Sequence, residues 1–284
     1  MSKVVSISSQ VVYGHVGNST SAFVLQRMGH EVLAVPTILL SNRPGYKAIA
    51  GEPLEPRKLD AMLGAALENG WLNNAAAIMT GYLPSAEHAS LCERWVRRIK
   101  DANPQAIYLC DPIIGDEPGG IYIKEAAASA MRDRLLPLAD ILTPNSFELF
   151  WLSGTPIADA GSAVAAARSL MRPAVVITSA PAPQKHMLAN ILVEGDATAA
   201  TAAPREIVHA HGTGDFFASV FLAHRLNGLS NAIAMRAASA AIGHVLHASA
   251  GQSELVLVET QASWAATPPT LAPLVAGIDA TGTS

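Results

Sequence analysis

Four consecutive residues, Gly212-Thr213-Gly214-Asp215, combine two properties that a group-transfer site needs. Glycines on either side of a threonine let the backbone take turns that a Cβ would forbid, so several N–H groups can aim at one point. The apolar run that follows has no proline and puts Phe217, Phe221 and His224 at helical spacing, which predicts a buried helix over 214–226. A helix start carries unsatisfied N–H groups and a partial positive charge, a setting suited to a phosphoryl group in transfer. Asp215 falls in the first turn, where it is stabilised as a carboxylate and can accept a proton from whatever the loop holds. A proton acceptor beside an anion nest is half of a phosphoryl-transfer site; a helix cap after a glycine turn is the plainer use of the same four residues.

These residues need a scaffold, and the rest of the chain predicts one. Strands are expected at 4–7, 32–35, 75–79, 106–110, 140–143 and 174–178. Helices are expected at 18–27, 56–69, 85–100, 124–136 and 158–171, with one more opening at Pro144 and Asn145. A hairpin over 187–193 and 197–202, helices over 214–226 and 231–247, and an edge strand over 254–258 complete the pattern. This alternation predicts an α/β fold, a mostly parallel central sheet with helices on both faces. Polar residues gather where strands end, at Ser9, Thr37, 80–82, Asp111, Asn145 and 178–179, and in such sheets the ligand crevice lies at those ends. The turn-rich stretch over 41–53 reads as a small lid, and the Ala/Thr/Pro-rich residues 266–284 as a mobile tail after a single domain over 1–265.

Composition narrows the partners. The chain of 284 residues is 50% hydrophobic and 15% charged with a net charge of −4, and it has no Lys/Arg block, which argues against nucleic acid and anionic membrane. Cys92 lies on a predicted helix and Cys110 closes a strand, so buried thiols are expected rather than a disulfide. The N-terminus enters a strand without an apolar leader, and the apolar stretch 232–250 contains Arg236, His244 and His247, so a soluble cytoplasmic protein is expected.

Six motifs in order carry a resemblance: Ser9-Gln10-Val11-Val12-Tyr13-Gly14-His15-Val16-Gly17-Asn18; Thr37 with Ser41-Asn42; Gly81-Tyr82; Cys110-Asp111-Pro112; Thr143-Pro144-Asn145-Ser146-Phe147-Glu148; and Gly212-Thr213-Gly214-Asp215. With them the chain resembles, over roughly 3–260, the pyridoxal kinases of the ribokinase-like superfamily. The resemblance implies a ribokinase-like three-layer sandwich with a small lid, ATP-dependent phosphorylation of the 5′-hydroxyl of pyridoxal or a related B6 vitamer, Mg²⁺, and a homodimer. It leaves a monovalent cation such as K⁺ open. It implies that Asp215 is the general base and that the amides of Gly212, Thr213 and Gly214 hold the anion. Ser9, Val16, Thr37 and Tyr82 would contact the vitamer. Asp111, Asp116, Asn145 and Glu148 would organise Mg²⁺, partly through water. Asp111, Thr143, Glu148 and Ser179 would face the nucleotide, and His209 and His211 are placed on the nucleotide side as packing or hydrogen-bonding groups.

Taken singly, Asn145 and Glu148 are equally a helix-capping pair, Asp111 before proline a turn former, and Ser9 one more strand-end serine. Gln10 stands where the family commonly has histidine, and Ser179 replaces the lysine of some bacterial members. A hydroxymethylpyrimidine or sugar kinase of the same superfamily, and a non-catalytic vitamer-binding protein, are the competing readings. Ser9, the valine-rich loop and Tyr82 favour a flat heteroaromatic over a sugar.

Overall fold

The computed structural model describes residues 1–206 and 210–275. In chain order the elements are β1 (Lys3–Val11), α1 (Asn18–Arg27), β2 (Glu31–Leu40), β3 (Gly51–Pro53), α2 (Pro56–Glu68), β4 (Ala75–Thr80), α3 (Ala86–Ala102) and β5 (Ile107–Cys110). A short hairpin of β6 (Gly115–Asp116) and β7 (Gly120–Ile121) leads to α4 (Glu125–Ala130), β8 (Ile141–Leu142), α5 (Ser146–Ser153) and α6 (Ala160–Ser169). The C-terminal part comprises β9 (Ala174–Pro181), β10 (Met187–Glu194), β11 (Ala197–Pro204), α7 (Thr213–Leu226), α8 (Asn231–Ala248) and α9 (Leu257–Trp264).

Nine strands form one sheet in the order β11-β10-β9-β8-β5-β4-β1-β2-β3. The six central strands, from β9 to β2, pair in parallel. β10, β11 and β3 are antiparallel additions at the two margins. Side chains that alternate along a strand serve opposite cores. Val5 and Ile7 of β1, with Val175 and Ile177 of β9, join a cluster with α2 to α6, whereas Val4, Ala174 and Val176 face α1, α7, α8 and α9. Helix α7 is the deepest element of the second layer, with every residue from Asp215 to His224 buried.

This is the three-layer arrangement that the strand–helix alternation predicts, and both cysteines are buried free thiols. Three segments differ from expectation. Residues 124–136 do not form one helix: α4 ends at Ala130 and the chain continues as a π turn (Met131–Leu135) and a 3₁₀ turn (Leu136–Leu138). Pro137 lacks an N–H and its ring crowds the carbonyl four residues back, which ends regular α bonding there. Residues 254–258 are not an edge strand. Leu257 instead starts α9, because Leu257 and Trp264, seven residues apart, bury on one helix face and Trp264 packs edge-on against Phe216 and Phe23. Finally, β2 runs on to Leu40 and pairs with β3, so the last three residues of the lid segment are sheet. Of the C-terminal segment, the N–H groups of Ala272 and Val275 bond to the carbonyls of Arg236 and Ala200.

Candidate active site

The floor of the site is the end of β1, and its shape is set by Asn18. This first residue of α1 is buried; its carboxamide accepts from the Ser6 hydroxyl (2.8 Å) and donates to the carbonyls of Ser8 (3.2 Å) and Val35 (3.1 Å). The bonds tie β1 to β2 where their register slips between Ser8 and Gln10, a bulge that re-aims Ser9. Ser9 lies against Gly17, whose φ is +54°; a Cβ there would sit 2.2 Å from the Ser9 hydroxyl oxygen. Gln10 is turned toward α1, its amide donating to the Ser19 hydroxyl at 2.8 Å. Asn18→Leu is expected to leave two carbonyls and a hydroxyl buried without this partner, at a cost of about 2–4 kcal/mol read from the urea midpoint. A shift within the error of the midpoint would remove this account of the bulge.

Above this floor stands the start of α7. Gly212 caps it in the left-handed conformation (φ +88°), and the first helical bond runs from the Phe216 N–H to the Gly212 carbonyl at 2.9 Å. The N–H groups of Thr213, Gly214 and Asp215 precede that bond and have no intrahelical partner by geometry. The glycine is required by contact as well as by φ, since a Cβ on Gly212 would fall 1.7 Å from the carbonyl oxygen of His15. The anion loop is therefore seated on the β1–α1 loop.

Asp215 is 7% exposed. Burial raises its carboxyl to about 6, opposed by a hydrogen bond from the Gly17 N–H. Gly17 thus touches both Ser9 and Asp215, and the first strand and the seventh helix converge on one residue. Asp111, just past β5, is buried too; desolvation first, and then the charge of Asp215, lift it to about 7. The Thr143 hydroxyl donates to its Oδ1 at 2.7 Å. Asp111 Oδ2 and Asp215 Oδ1 are both buried without a hydrogen-bond partner. Two buried carboxylates, each with an unpartnered oxygen, form a deficit of positive charge that a bound cation or a proton would fill. The donor set suits Mg²⁺, which takes few protein oxygens and keeps waters and phosphate oxygens as its other ligands. Among the described residues no group of three or more His, Cys, Asp or Glu forms a closed metal cage.

Asn145 and Glu148 form a capping box at the start of α5: the Asn145 side chain accepts from the Glu148 N–H and the Glu148 side chain from the Asn145 N–H, both at 2.9 Å. Both side chains also reach across to the β5–β6 loop. Glu148 Oε1 accepts from the Ile114 N–H at 3.0 Å, and the Asn145 amide donates to the Gly115 carbonyl at 2.9 Å. Burial and the nearby Asp111 hold Glu148 well above the usual carboxylate range. The capping reading and the site reading are thus compatible: the pair braces the loop that carries Asp111 and Asp116. Asp116 is half-buried in β6 and accepts a hydrogen bond from Tyr122.

The remaining expected residues divide. Val16 is half-buried on the β1–α1 loop, between the carbonyl that touches Gly212 and the glycine that touches Ser9. Thr37 is fully buried and its hydroxyl donates to the Tyr82 carbonyl at 2.7 Å, so its hydrogen is engaged in placing the 81–82 turn. Tyr82 is half-buried, and its own N–H donates to the Ser8 hydroxyl at 3.1 Å. Ser179 is exposed in the left-handed region (φ +56°), its N–H donating to the Asn190 side chain. His211 is exposed beside the anion loop; His209 lies outside the described residues. Gly17, Asn18 and Ser8 hold the site together, yet the sequence assigned them no role, since a short polar residue in a strand-end motif carries no local mark of a long-range contact.

Comparison with known proteins agrees with this geometry. The profile of the phosphomethylpyrimidine kinase family matches residues 24–255. The chain is 33% identical to the pyridoxal kinase PdxY of Corynebacterium diphtheriae over 265 residues, covering 91% of this chain and 94% of that one. It is 39% identical to the pyridoxine/pyridoxal/pyridoxamine kinase of Bordetella avium over 254 residues, with coverage of 83% and 81%. Among solved structures, pyridoxal kinase from Leishmania donovani in complex with ADP and pyridoxine superposes with a TM-score of 0.89 at 29% identity, covering 96% of this chain and 98% of that one. A sheet of this order, a glycine-capped α7 and this degree of likeness along nearly the whole chain lead to one conclusion: the protein belongs to the phosphomethylpyrimidine kinase family, within the ribokinase-like pyridoxal kinases.

Proposed function

We propose that the protein transfers the γ-phosphoryl group of ATP to the 5′-hydroxyl of pyridoxal, yielding pyridoxal 5′-phosphate and ADP. The observation that carries this is Asp215, a buried carboxylate lifted to about 6 at the N-terminus of α7, with one oxygen unpartnered. An alcohol is a poor nucleophile until its proton is accepted during attack, and an acid of that strength is ionised at neutral pH while remaining basic enough to take it. The amides of Thr213 and Gly214 and the positive end of α7 face the negative charge that spreads over the transferring phosphoryl oxygens. Ser9, Val16 and Tyr82 offer a hydroxyl, an apolar wall and an aromatic ring, the groups that a substituted pyridine asks for. Mg²⁺, held on the Asp111 side and braced through Glu148 and Asn145, would neutralise the phosphates when bound. The Leishmania donovani relative is described in complex with ADP and pyridoxamine, which supports a shared nucleotide and vitamer site.

The test is a coupled assay of ADP formation with pyridoxal, pyridoxine, pyridoxamine and hydroxymethylpyrimidine, each with and without Mg²⁺ and K⁺. Mg²⁺-dependent turnover of the B6 vitamers is expected. A preference for hydroxymethylpyrimidine would favour the second reading, for which the matching family profile speaks. The same reading places the protein in the cytoplasm as a homodimer with one kinase domain over 1–265, and a monomer by sedimentation at micromolar concentration would contradict the dimer.

A further inference from the structure

We propose that Glu254 is a positioning residue, a clasp that holds the lid against the β1–α1 loop and so sets the affinity of the site for its ring substrate; the proposal rests on the kinase reading above. Glu254 sits between α8 and α9, far in sequence from everything it binds. Its Oε2 accepts the His15 N–H at 3.1 Å, and its Oε1 accepts both the Arg43 Nε at 3.0 Å and the Tyr46 hydroxyl at 2.6 Å. Only 12% of the Arg43 side chain and 10% of the Glu254 side chain are exposed. The Arg43 guanidinium also donates to the Ser253 carbonyl at 2.9 Å and stacks over the Tyr46 ring at 4.9 Å, and Tyr46 meets Tyr13 edge-on at 6.3 Å. Gly14 makes the approach possible: at φ +107°, it leaves the space where a Cβ would come 2.8 Å from Glu254 Oε2.

One carboxylate therefore joins three separate segments. The lid is internally tied, with the Ser41 and Ala50 backbones bonded to each other at 2.7 Å, and the Tyr13 N–H bonds to the Ser41 carbonyl at 2.9 Å. Arg43 and Tyr46 consequently carry the whole 41–50 segment with them. At the other oxygen, the held residue is His15, whose carbonyl seats Gly212 and two residues beyond which Gly17 faces both Ser9 and Asp215. The clasp thus connects the lid to the one loop that touches both the anion nest and the vitamer side. Largely desolvated, charge-assisted hydrogen bonds of this sort fix geometry, and removal of one partner leaves the other charge buried and unpaired. His211, placed on the nucleotide side, feels the charges of both Arg43 and Glu254, but the hydrogen bonds of the clasp run to the lid and the β1–α1 loop and not to Thr143 or Ser179, so the larger effect is expected on the vitamer.

The experiment compares Glu254→Ala, Arg43→Met and Tyr46→Phe with the parent chain. KM for pyridoxal is expected to rise about tenfold in the first two, with KM for ATP within about twofold and a much smaller change in kcat. Combining Glu254→Ala with Arg43→Met should cost less than the sum of the two singles, because the Arg43–Glu254 pair is lost in each. Hydrogen exchange of residues 41–50 in the ligand-free protein should quicken in each variant. Unchanged exchange over 41–50, a parallel rise in both KM values, or a loss confined to kcat would each overturn the clasp. If Glu254→Ala does not fold, Tyr46→Phe removes a single bond and should still speed exchange and raise the pyridoxal KM about threefold. Because exchange is read without substrate, it judges the clasp even if the parent chain turns over no vitamer, a result that would sink the functional reading instead.

Discussion

Asp215→Asn is expected to lower kcat by about 10²–10⁴ while leaving the fold intact, since a carboxamide fills the same space but cannot take the proton. The parent should show a rising limb of kcat/KM near pH 6, where burial has placed this carboxyl, and the variant should lose that limb. Near-parental turnover would show that the proton leaves by another route. The same burial has a second consequence. Both Asp215 and Asp111 are held above the ordinary aspartate value, at about 6 and about 7, by desolvation first. Between about pH 4 and 7 the folded chain therefore keeps protons that the unfolded chain has released, so stability falls as pH rises through that window and then levels. Removing one of the two charges should relieve this, and Asp215→Asn should be more stable than the parent at pH 7.5, by on the order of 2 kcal/mol. It should also shift the remaining titration, that of Asp111, downward. Activity lost with stability gained separates a strained functional carboxylate from a structural cap, whose loss would cost stability.

The second large effect is expected at Gly212, where alanine should lower kcat/KM about 10²-fold or more and destabilise the chain by about 2–4 kcal/mol. The backbone there is left-handed, which an L side chain adopts only with strain. The added Cβ would also fall 1.7 Å from the His15 carbonyl oxygen, so the β1–α1 loop must retreat from the anion nest. Displacing that loop moves Val16 and Gly17 together, and a shift of an ångström in a transfer site is costly. The contrast is Gly214→Ala: its φ lies outside the left-handed region and its nearest neighbour is Asp111 Oδ2 at 4.0 Å, so the melting temperature should stay near that of the parent. Equal melting temperatures for the two alanine variants would show that the seat on His15 is not what Gly212 provides.

Elements whose signal is local were readable in advance. Helix α1 occupies 18–27 as expected, and α7 begins one residue before the predicted start. Misreadings arose where a distant partner decides. Strand β2 continues past Val35 because β1 and β3 supply hydrogen bonds along its last residues. The stretch after Glu254 is a short apolar run, 255–258, rich in the branched residues suited to a strand, but the sheet ends elsewhere and Trp264 draws Leu257 into a helix. For Asn145 and Glu148 the residues admitted two uses, and only packing showed that the capping box and the brace on Ile114 and Gly115 are one structure.

The amino-acid sequence by itself determined the layered α/β fold, the glycine-rich start of α7 and the gathering of polar groups at strand ends, because period, turn residues and caps act over a few positions. Tertiary structure alone decided that Asp111 lies close enough to Asp215 to raise its affinity for a proton, that Gly17 links Ser9 to the carboxylate, and that Glu254 reaches Arg43 and His15. Those facts depend on desolvation and on contacts across as many as 239 positions of chain, and neither has a signature in any short stretch of residues.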